Sequence, residues 1–521
     1  MGAPLTGALV LLLCAVAPQA LAQAVSTAPT GGSGISQEQA LALSARLDAL
    51  EKRNEELEDR VADLKAQVAA GEQAIREEQR ATTVAMSNGR ATIASGDGQT
   101  SIAVRGVFQL DAAHYDQTAP GPLATDYRRG SVGDAVEAEH ARDLNDGANF
   151  RRARIGLEGK AGAAWNYNFL YDFGGSGVEE GGKVIQAWLE YTGFGPVRLR
   201  AGAFSPPAGL EEATSANNLL FLERASPAEM VRGIASGDGR KAAGLLANGE
   251  RWNVSVVMSG NLVAAQTFDQ QIGFVGRATF LPVKGLDYLV HLGVDVTHVL
   301  RPAALGADVA PAGAVTPLRL RDRPEIRVDV TRLADTGNID ADGLTSLGVE
   351  FAAQLRAITV QSEYFAVDLQ RRASALSDPS FKGWYVSGAW SLTGQPRRYN
   401  TGLAAFDPPR VDKSFDLKTG DLGVWELAAR FSDLDLNYHA GAAGSTPAAD
   451  AVRGGEQKIV TLGLNWYPNP TVRFQADYQH VDVDRLSPGG TAFGAGTLTP
   501  PAGVQIGQEL RIWSLRTQYA F

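Results

Sequence analysis

The 521-residue chain has a single cysteine, and that cysteine is not expected to persist. Cys14 lies in an apolar stretch, residues 4–17, followed by Ala20-Leu21-Ala22, a small-x-small pattern typical of a signal-peptide cleavage site. Loss of a signal peptide at 1–22 would leave no thiol, which excludes disulfides and cysteine catalysis. Leu13 stands where a lipid-attachment signal places a small residue, so we do not expect lipidation. The usual positive residues before the apolar stretch are absent, which leaves the true start codon open.

Long apolar runs are also absent. Beyond the signal peptide no segment approaches the roughly 20 residues that a membrane-spanning helix needs. A composition of 44% hydrophobic and 20% charged residues, with a net charge of −10, excludes a disordered or collagen-like chain and gives no sign of nucleic-acid binding. The six histidines are scattered without metal-ligand spacing, and no nucleophile–base set occurs. We therefore expect neither an enzyme nor a bound cofactor.

From about residue 101 to 521, apolar and polar residues alternate with the period of two that is typical of β-strands. In 165–173 aromatic side chains alternate with Asn and Asp, and 513–521 alternates again and ends on Phe521. Successive side chains of a strand point to opposite faces, so each segment has an apolar and a polar face. A soluble sheet can show the same pattern, but its repetition after an export signal favours an outer-membrane β-barrel, embedded in outer-membrane lipid.

The candidate strands number about seventeen, whereas a bacterial barrel with both ends in the periplasm needs an even number. The segment 323–333 breaks the parity, so we assign it to a long loop, 300–344. About sixteen antiparallel strands remain, with an uncertainty of two, and 395–420 becomes an unusually long periplasmic connection. A barrel of this size encloses an aqueous lumen.

The alternation also predicts which charged side chains face the lumen. The arginines on inner faces are Arg105, Arg152, Arg154, Arg198, Arg200, Arg473 and Arg516. Arginine carries a permanent positive charge on a fork of donors that suits oxyanions, so these side chains indicate a preference for anions. Asp111, Asp172, Glu190 and Asp477 also face inward, and arginines that only pair with them would be ordinary wall polarity. The pore radius and the solute stay open.

Residues 37–80 follow a different period. Leu43, Leu50, Leu57 and Leu64 recur every seven residues, and Leu47, Val61, Val68 and Ile75 occupy the second seam position. This pattern predicts a periplasmic α-helical coiled coil between polar linkers at 23–36 and 81–100, with Asn54 on the seam as a register-setting polar residue. A parallel bundle implies an oligomer. Three strands would suit a porin, two are also compatible, and an isolated helix on the periplasmic rim is the alternative.

Several motifs of the strand region resemble one family. They are Asn149-Phe150-Arg151-Arg152-Ala153-Arg154-Ile155-Gly156-Leu157-Glu158-Gly159, Ala187-Trp188-Leu189-Glu190-Tyr191, Gly209-Leu210-Glu211-Glu212-Ala213-Thr214-Ser215, Phe221-Leu222-Glu223-Arg224-Ala225 and Gly463-Leu464-Asn465-Trp466-Tyr467-Pro468-Asn469-Pro470. Together they resemble the phosphate-selective porin O/porin P family over about 100–521. The chain departs from the family's pattern at Ser205-Pro206-Pro207-Ala208, and its loop carries no lysine before Lys241.

The resemblance implies a trimeric sixteen-stranded barrel whose third long loop, here 205–239, folds into the lumen as a constriction. Within that loop the matching residues are Glu211, Glu212, Phe221, Glu223 and Arg224. It also implies an arginine ladder that guides anions, to which Arg152 and Arg154 belong by motif.

From these observations we expect a homotrimeric outer-membrane porin that lets small anions such as phosphate diffuse passively through domain 101–521. A general, non-specific diffusion porin is one alternative. The other is an envelope-tethering barrel whose coiled coil contacts the cell wall.

Overall fold

The computed structural model describes residues 36–87, 89–118, 143–175, 182–263, 265, 269–306, 310, 313–489 and 500–521. The predicted signal peptide and all but the last residue of the 23–36 linker lie outside them. The chain divides into two units, Met1–Gln79 and Arg80–Phe521.

The first unit contributes one long helix, α1 (Gln37–Arg80). Its start is fixed by a reciprocal cap: the Ser36 backbone N–H donates to Gln39 Oε1 at 3.3 Å, and the Gln39 N–H donates to Ser36 Oγ at 3.3 Å. The heptad-seam side chains named above are between 49% and 61% exposed in the single chain. The helix is confirmed, and its assembly into a coiled coil stays a prediction. None of the described helices is both long and apolar enough for a membrane span.

The second unit is a β-barrel. Its wall strands are β3 (Thr100–Thr118), β4 (Gly147–Ala161), β5 (Trp165–Asp172), β6 (Lys183–Phe194), β7 (Val197–Ala203), β8 (Arg240–Asn248), β9 (Trp252–Leu262), β10 (Ile272–Lys284), β11 (Tyr288–Arg301), β14 (Ala341–Leu355), β15 (Ile358–Arg371), β16 (Ser380–Ser391), β19 (Val424–Tyr438), β20 (Val452–Tyr467), β21 (Val472–Asp484) and β22 (Gln508–Ala520). Each pairs antiparallel with its sequence neighbour, and β22 pairs with β3, for example Leu515 with Ala112. Sixteen strands therefore close the barrel, as the parity argument predicts.

Short pairs of strands lie outside the wall: β1 (Thr83–Ser87) with β2 (Arg90–Ala94), β12 (Arg321–Asp322) with β13 (Ala334–Asp335), and β17 (Arg397–Asn400) with β18 (Ala405–Pro409). The first pair corrects the expectation of a plain polar linker at 81–100. Thr92 of β2 pairs with Ala103 of β3, and Arg90 forms an ion pair with Glu158 of β4, so the hairpin extends the sheet at the barrel edge.

The connections between wall strands alternate in length. Those at one end are short turns such as 195–196 and 356–357, apart from the long connection 392–423. Those at the other end include 204–239 and 302–340, and the latter contains the segment that broke the strand parity. In bacterial barrels the short turns face the periplasm. The prediction that one long connection lies at that end is confirmed.

Hydrophobic packing occurs inside the barrel as well as on its outer face. Loop 204–239 contains two helices, α2 (Leu210–Ala213) and α3 (Ser226–Ala235). Met230 and Val231 of α3 are buried in a cluster with wall residues Phe365 and Phe381. Pro227 lies in the first turn of α3, where its missing N–H would have no partner within the helix. The inner wall is thus polar only in part, and its apolar part anchors the inserted loop.

Candidate functional site

Loop 204–239 is held inside the lumen by widely separated wall strands. The backbone N–H of Leu210 donates to Glu363 Oε1 of β15 at 2.6 Å. The N–H of Leu222 donates to Asp477 Oδ2 of β21 at 2.9 Å. Because β15 and β21 are not neighbours in the barrel, the loop crosses the interior between them. The loop therefore lies inside the lumen, and its role as a constriction stays a prediction.

Glu211 and Phe221 of this loop meet the same wall arginine. Arg430 of β19 lies 3.4 Å from Glu211 Oε1, and its guanidinium lies 4.4 Å from the centre of the Phe221 ring. Glu211 Oε2 accepts the backbone N–H of Ala225 at 2.8 Å. Burial raises the pKa of Glu211 above its ordinary value, although Arg430 opposes the shift. A second inserted segment reaches Arg430 through Glu325 of 302–340.

Glu212 and Arg224 tie the loop to itself. Arg224 Nε lies 3.3 Å from Glu212 Oε2, and its Nη2 donates to the Thr214 carbonyl at 2.9 Å. Arg232 of α3 approaches the same Glu212 oxygen at 2.6 Å. Burial raises the pKa of Glu212 despite Arg232 and Arg224. Both residues thus hold the shape of the constriction.

Glu223 is the acceptor for a cluster of arginines. Arg151 Nε donates to it at 2.7 Å, and Arg152 Nη2 and Arg516 Nη2 lie 3.3 Å and 3.0 Å from its oxygens. Arg327 of the segment 302–340 lies 3.7 Å away. Burial opposes ionisation of Glu223, but the four guanidinium groups outweigh it and hold its pKa well below the ordinary value. Arg516 and Arg327 are shared with Asp111 and Glu229, so the cluster keeps only a modest excess of positive charge.

Arg151 is a lumen residue that alternation did not identify. Gln109 pairs with Arg152 and Leu110 pairs with Phe150, so Arg151 is an extra residue on β4. Such a bulge lets two consecutive side chains leave on the same face. Arg151 and Arg152 are both buried inside the barrel. The Arg151-Arg152 pair itself could have indicated the bulge. In a regularly alternating strand, one of two consecutive arginines would face lipid, which is unfavourable.

The seven predicted lumen arginines all face inward. Their nearest carboxylates are Glu158 for Arg105 (2.9 Å), Glu223 for Arg152 (3.3 Å), Asp172 and Asp238 for Arg154 (both 2.7 Å), Glu190 for Arg198 (3.9 Å) and Arg200 (2.7 Å), and Asp111 for Arg516 (2.6 Å). Among the described residues, Arg473 has no carboxylate within 4.0 Å. Its Nη2 donates to Asn465 Oδ1 at 2.9 Å, and its guanidinium lies 4.9 Å from the Tyr467 ring centre. Arg473 is therefore the predicted lumen arginine with the least compensated charge.

A cavity of about 1060 Å³ lies at the short-turn end of the barrel and is here termed the vestibule. The charged residues in its lining are Arg90, Arg105, Arg398, Arg410, Arg473 and Glu158. Five cations thus face one carboxylate. Arg410 also pairs with Asp412, which lies outside the lining, at 3.0 Å. The vestibule is therefore a positively charged compartment.

A second cavity of about 610 Å³, the wall chamber, adjoins the vestibule and shares Arg90, Arg105 and Glu158 with it. Its other charged lining residues are Arg152, Arg154, Lys160, Arg200, Arg224, Arg277, Glu212 and Asp238. Eight cations face three carboxylates there. The aromatic face of Trp188, 4.2 Å below the Arg200 guanidinium, also lines this chamber. Basic side chains thus line both cavities, although Arg152, Arg154 and Arg200 are paired with carboxylates outside the lining.

The connection 392–423 also enters the lumen, which the sequence did not indicate. Arg277 of β10 donates to the carbonyls of Leu403 and Ala404 at 2.8 Å and 2.9 Å. His291 of β11 lies 2.7 Å from the Tyr399 hydroxyl. Arg397 pairs with Glu426 of β19 at 2.9 Å. Contacts with three wall strands fix the β17–β18 hairpin across the short-turn end of the lumen.

Comparison with known proteins gives consistent matches. The profile of the family described as phosphate-selective porin O and P matches residues 128–489. Porin O of Pseudomonas aeruginosa is 28% identical over 388 residues, covering 70% of this chain and 83% of that protein. An uncharacterized protein of Caulobacter vibrioides is 26% identical over 399 residues, covering 75% and 73%. The outer membrane channel DcaP of Acinetobacter baumannii aligns with a TM-score of 0.43 at 11% identity, covering 81% of this chain and 98% of that chain. The family match spans all three segments that enter the lumen.

Proposed function

Because the chain belongs to the phosphate-selective porin O and P family and forms an outer-membrane porin, we propose that it passes small anions, phosphate among them, by passive diffusion. The observation that carries this proposal is the vestibule, in whose described lining five arginines face one acidic side chain, Glu158. Excess charge of one sign in a low-dielectric cleft concentrates ions of the opposite sign. Anions entering from the short-turn end would therefore be enriched beside the constriction.

The mechanism follows from how the arginines are held. Arg473 keeps donors available because its neighbours are an amide, a backbone carbonyl and an aromatic ring. An oxyanion can accept from such a guanidinium without displacing a carboxylate. Transport also requires release, so binding must stay weak and be shared among several sites. Arg105, Arg90 and Arg398 provide neighbouring positions around the same cavity.

Phosphate as the favoured anion has narrower support. It rests on the description of the family and on the likeness to Porin O, together with the arginine-rich lining. The loop 204–239 offers no ammonium group, since the chain has no lysine between Lys183 and Lys241. Any contribution of this loop to a preference for phosphate over chloride would therefore come from guanidinium groups.

A general diffusion porin is the second candidate, and one observation favours it. Six of the seven predicted lumen arginines lie within 4.0 Å of a carboxylate. A guanidinium already paired with a carboxylate contributes little free charge to a passing ion. The two candidates differ in saturation, because a channel without a binding site conducts in proportion to ion concentration.

Single-channel recording of the purified protein in planar bilayers tests the proposal. A potassium chloride gradient gives the reversal potential, and phosphate is then titrated into the chloride bath. We expect an anion-selective reversal potential and a saturable block of the chloride current by phosphate. Arg473→Gln should weaken the block, whereas the matched control Arg511→Gln, at an exposed position of β22, should leave it unchanged. A reversal potential near zero without block would leave the general porin.

The homotrimer and the periplasmic coiled coil are part of the same proposal. In a single α1 helix the apolar seam is about half exposed, and a seven-residue repeat of this kind is buried when copies associate in parallel. The wall begins at the short-turn end, which supports a periplasmic position for the residues before it. Mass determination of the intact protein in detergent should give three chains, and a double substitution, Leu50→Asp with Leu57→Asp, should weaken the assembly.

In the alternative role, α1 would tether the barrel to the cell wall. Deleting residues 37–80 distinguishes this role from transport. A porin would keep its conductance, and cells producing the deleted form would keep their envelope integrity. Loss of envelope integrity with unchanged conductance would assign α1 to tethering.

A further inference from the structure

Three buried carboxylates meet on the inner wall, away from the arginine clusters of the vestibule. Asp295 of β11, Glu350 of β14 and Glu363 of β15 lie on consecutive wall strands. Each offers a carboxylate oxygen, and these oxygens lie within 4.8 Å of one another. The three residues are 5%, 3% and 1% exposed. Acidic side chains are seldom buried to this degree without compensation.

Two of the carboxylates are partly satisfied by protein donors. Arg277 Nε and Nη2 donate to the two oxygens of Glu350 at 2.8 Å and 2.7 Å, and His291 Nε2 lies 3.0 Å from Oε2. Glu363 Oε1 accepts the Leu210 N–H, while its Oε2 accepts the Tyr385 hydroxyl at 2.6 Å. In each residue Oε1 therefore takes a single hydrogen bond and retains an acceptor site.

Asp295 is different, because neither of its carboxylate oxygens has a hydrogen-bond partner within the described part of the chain. It also has no ion pair there within 4.0 Å. Its carboxylate lies over Gly348, the residue opposite on β14, where an added Cβ would come within 2.1 Å of Oδ2. The glycine thus leaves room for a carboxylate that is buried and aimed into the cluster.

Charge balance at this site is poor. The two ring contacts of His291 match a neutral imidazole whose proton is on Nε2, with Nε2 as donor to Glu350 and Nδ1 as acceptor from Tyr399. Ionised Asp295, Glu350 and Glu363 then face one guanidinium, that of Arg277, which leaves two negative charges in excess. Burying an unpaired charge costs free energy, so the excess negative charge must be neutralised by a bound cation or by protonation.

We propose that Asp295, Glu350 and Glu363 bind a divalent cation, with Ca²⁺ as the fitting ion. Oxygens on opposite sides of Ca²⁺ lie about 4.6–5.2 Å apart, given Ca–O distances of about 2.3–2.6 Å, whereas Mg²⁺ would need about 4.2 Å or less. The three oxygens lie within 4.8 Å of one another, which is compatible with a Ca²⁺ coordination shell. Asp295 can chelate through both oxygens, and Glu350 and Glu363 contribute their less-used Oε1 atoms. Further oxygens are at hand on the same face, because the hydroxyls of Thr297 and Ser346 are buried without described partners.

The site would couple the wall to the constriction. Glu363 binds the backbone N–H groups of Leu210 and Glu211 at 2.6 Å and 3.0 Å. A cation that fixes Glu363 would therefore also fix the start of α2. The bound ion acts as an anchor for loop 204–239 and need not contact the permeating solute.

The test uses the intact protein after dialysis against a chelator. Tb³⁺ is added first as a probe, because Tyr385 contacts Glu363 and lies close enough to sensitise its emission. Ca²⁺ should then displace Tb³⁺. Heat unfolding, measured with chelator and with Ca²⁺, should show a higher midpoint in Ca²⁺. The variant is Asp295→Asn, with Asp368→Asn as the matched control, because Asp368 is an exposed acid of β15.

Asp295→Asn is expected to fold, since it removes an unpaired buried charge. In chelator it should unfold at a higher temperature than the unmodified protein, and in Ca²⁺ it should lose both the Ca²⁺ response and the Tb³⁺ emission. The control should behave as the unmodified protein in every assay. A protein that shows no Ca²⁺-dependent shift, while Asp295→Asn stabilises it equally in both buffers, would mean that protons neutralise the cluster, and that overturns the proposal. Unchanged Tb³⁺ emission in Asp295→Asn would overturn it as well.

Discussion

Asn218 Nδ2 donates to Asp407 Oδ1 at 2.8 Å, which joins two connections that enter the lumen from opposite ends of the barrel. Asn218 belongs to the loop 204–239, and Asp407 lies on β18 in the connection 392–423. Arg397 strengthens the junction, because its Nη2 donates to the Asn218 carbonyl at 2.9 Å. Loop 204–239 is therefore in direct contact with the connection 392–423 inside the lumen.

Shortening the β17–β18 hairpin should enlarge the pore. Replacing 398–409 with a short glycine–serine turn removes Asp407 and the chain that crosses the short-turn end, while Arg397 keeps its pair with Glu426. We expect a larger single-channel conductance with a weaker anion preference, because Arg398 is lost from the vestibule. Planar-bilayer recording measures both. The conservative control Asp407→Asn should leave conductance nearly unchanged, and an unaltered conductance in the shortened protein would contradict this account.

Glu223→Gln should destabilise the barrel. The substitution removes the negative charge that compensates Arg151, Arg152 and Arg516 inside the lumen. Breaking a buried ion pair by removing one partner typically costs about 3–5 kcal/mol. Denaturant unfolding in detergent measures the change. Glu77→Gln, on the exposed surface of α1, serves as the control and should change the free energy of unfolding by less than about 0.5 kcal/mol.

Arg151→Leu distinguishes the bulged strand from simple alternation. If β4 alternated regularly, Arg151 would face lipid and a leucine there would stabilise the barrel, because arginine at the bilayer midplane costs about 2–4 kcal/mol. With the bulge, the substitution removes the 2.7 Å hydrogen bond to Glu223 and should destabilise the protein. The sign of the change in unfolding free energy decides between the two, and Arg511→Leu provides the lipid-facing comparison.

The stability of the inserted segments should fall as pH rises towards neutrality. Burial, followed by the neighbouring Glu229 carboxylate, raises the pKa of Asp322 to about 7 from an ordinary value of 3.8. Ionisation is therefore harder in the folded protein than in the unfolded chain, and the free energy of unfolding decreases between about pH 4 and pH 7. Asp322→Asn should flatten the profile in that window, as followed by unfolding at a series of pH values. A profile with the same slope in the variant would refute the assignment.

Glu229 titrates in a different window and provides an internal check. Burial opposes its ionisation, but Arg232 and Arg327 lower its pKa to about 2. The stabilisation it contributes is present above about pH 4.5 and is lost as pH falls through about 2. Acid sensitivity in that range should persist in Asp322→Asn.

Local periodicity was enough to predict the wall. The alternation of apolar and polar residues along strands such as β5 and β22 predicted which side chains face lipid and which face the lumen. A strand with lipid on one side must place its apolar residues on that side. Parity then gave sixteen strands from about seventeen candidates. The same rule failed at Arg151, because a bulge depends on how two strands pair and not on the sequence of one.

The contents of the lumen could not be predicted in this way. Nothing periodic in 392–423 indicates that Tyr399 will meet His291, because those contacts form between residues about 108 positions apart. The same holds for Glu223, whose position in the loop motif suggested a constriction but not that four arginines would converge on it. Long-range charge pairing determined these arrangements, and it appears only when the barrel has closed.

Closure itself has a consequence for biogenesis. Arg516 of β22 and Asp111 of β3, joined at 2.6 Å, lie 405 positions apart in the chain. No earlier strand can substitute for β22, so an incomplete chain keeps two unpaired edges that invite aggregation. Contacts of such high sequence separation also form slowly. The polypeptide must therefore be kept from self-association in transit until its last thirteen-residue strand has been delivered and can pair with β3.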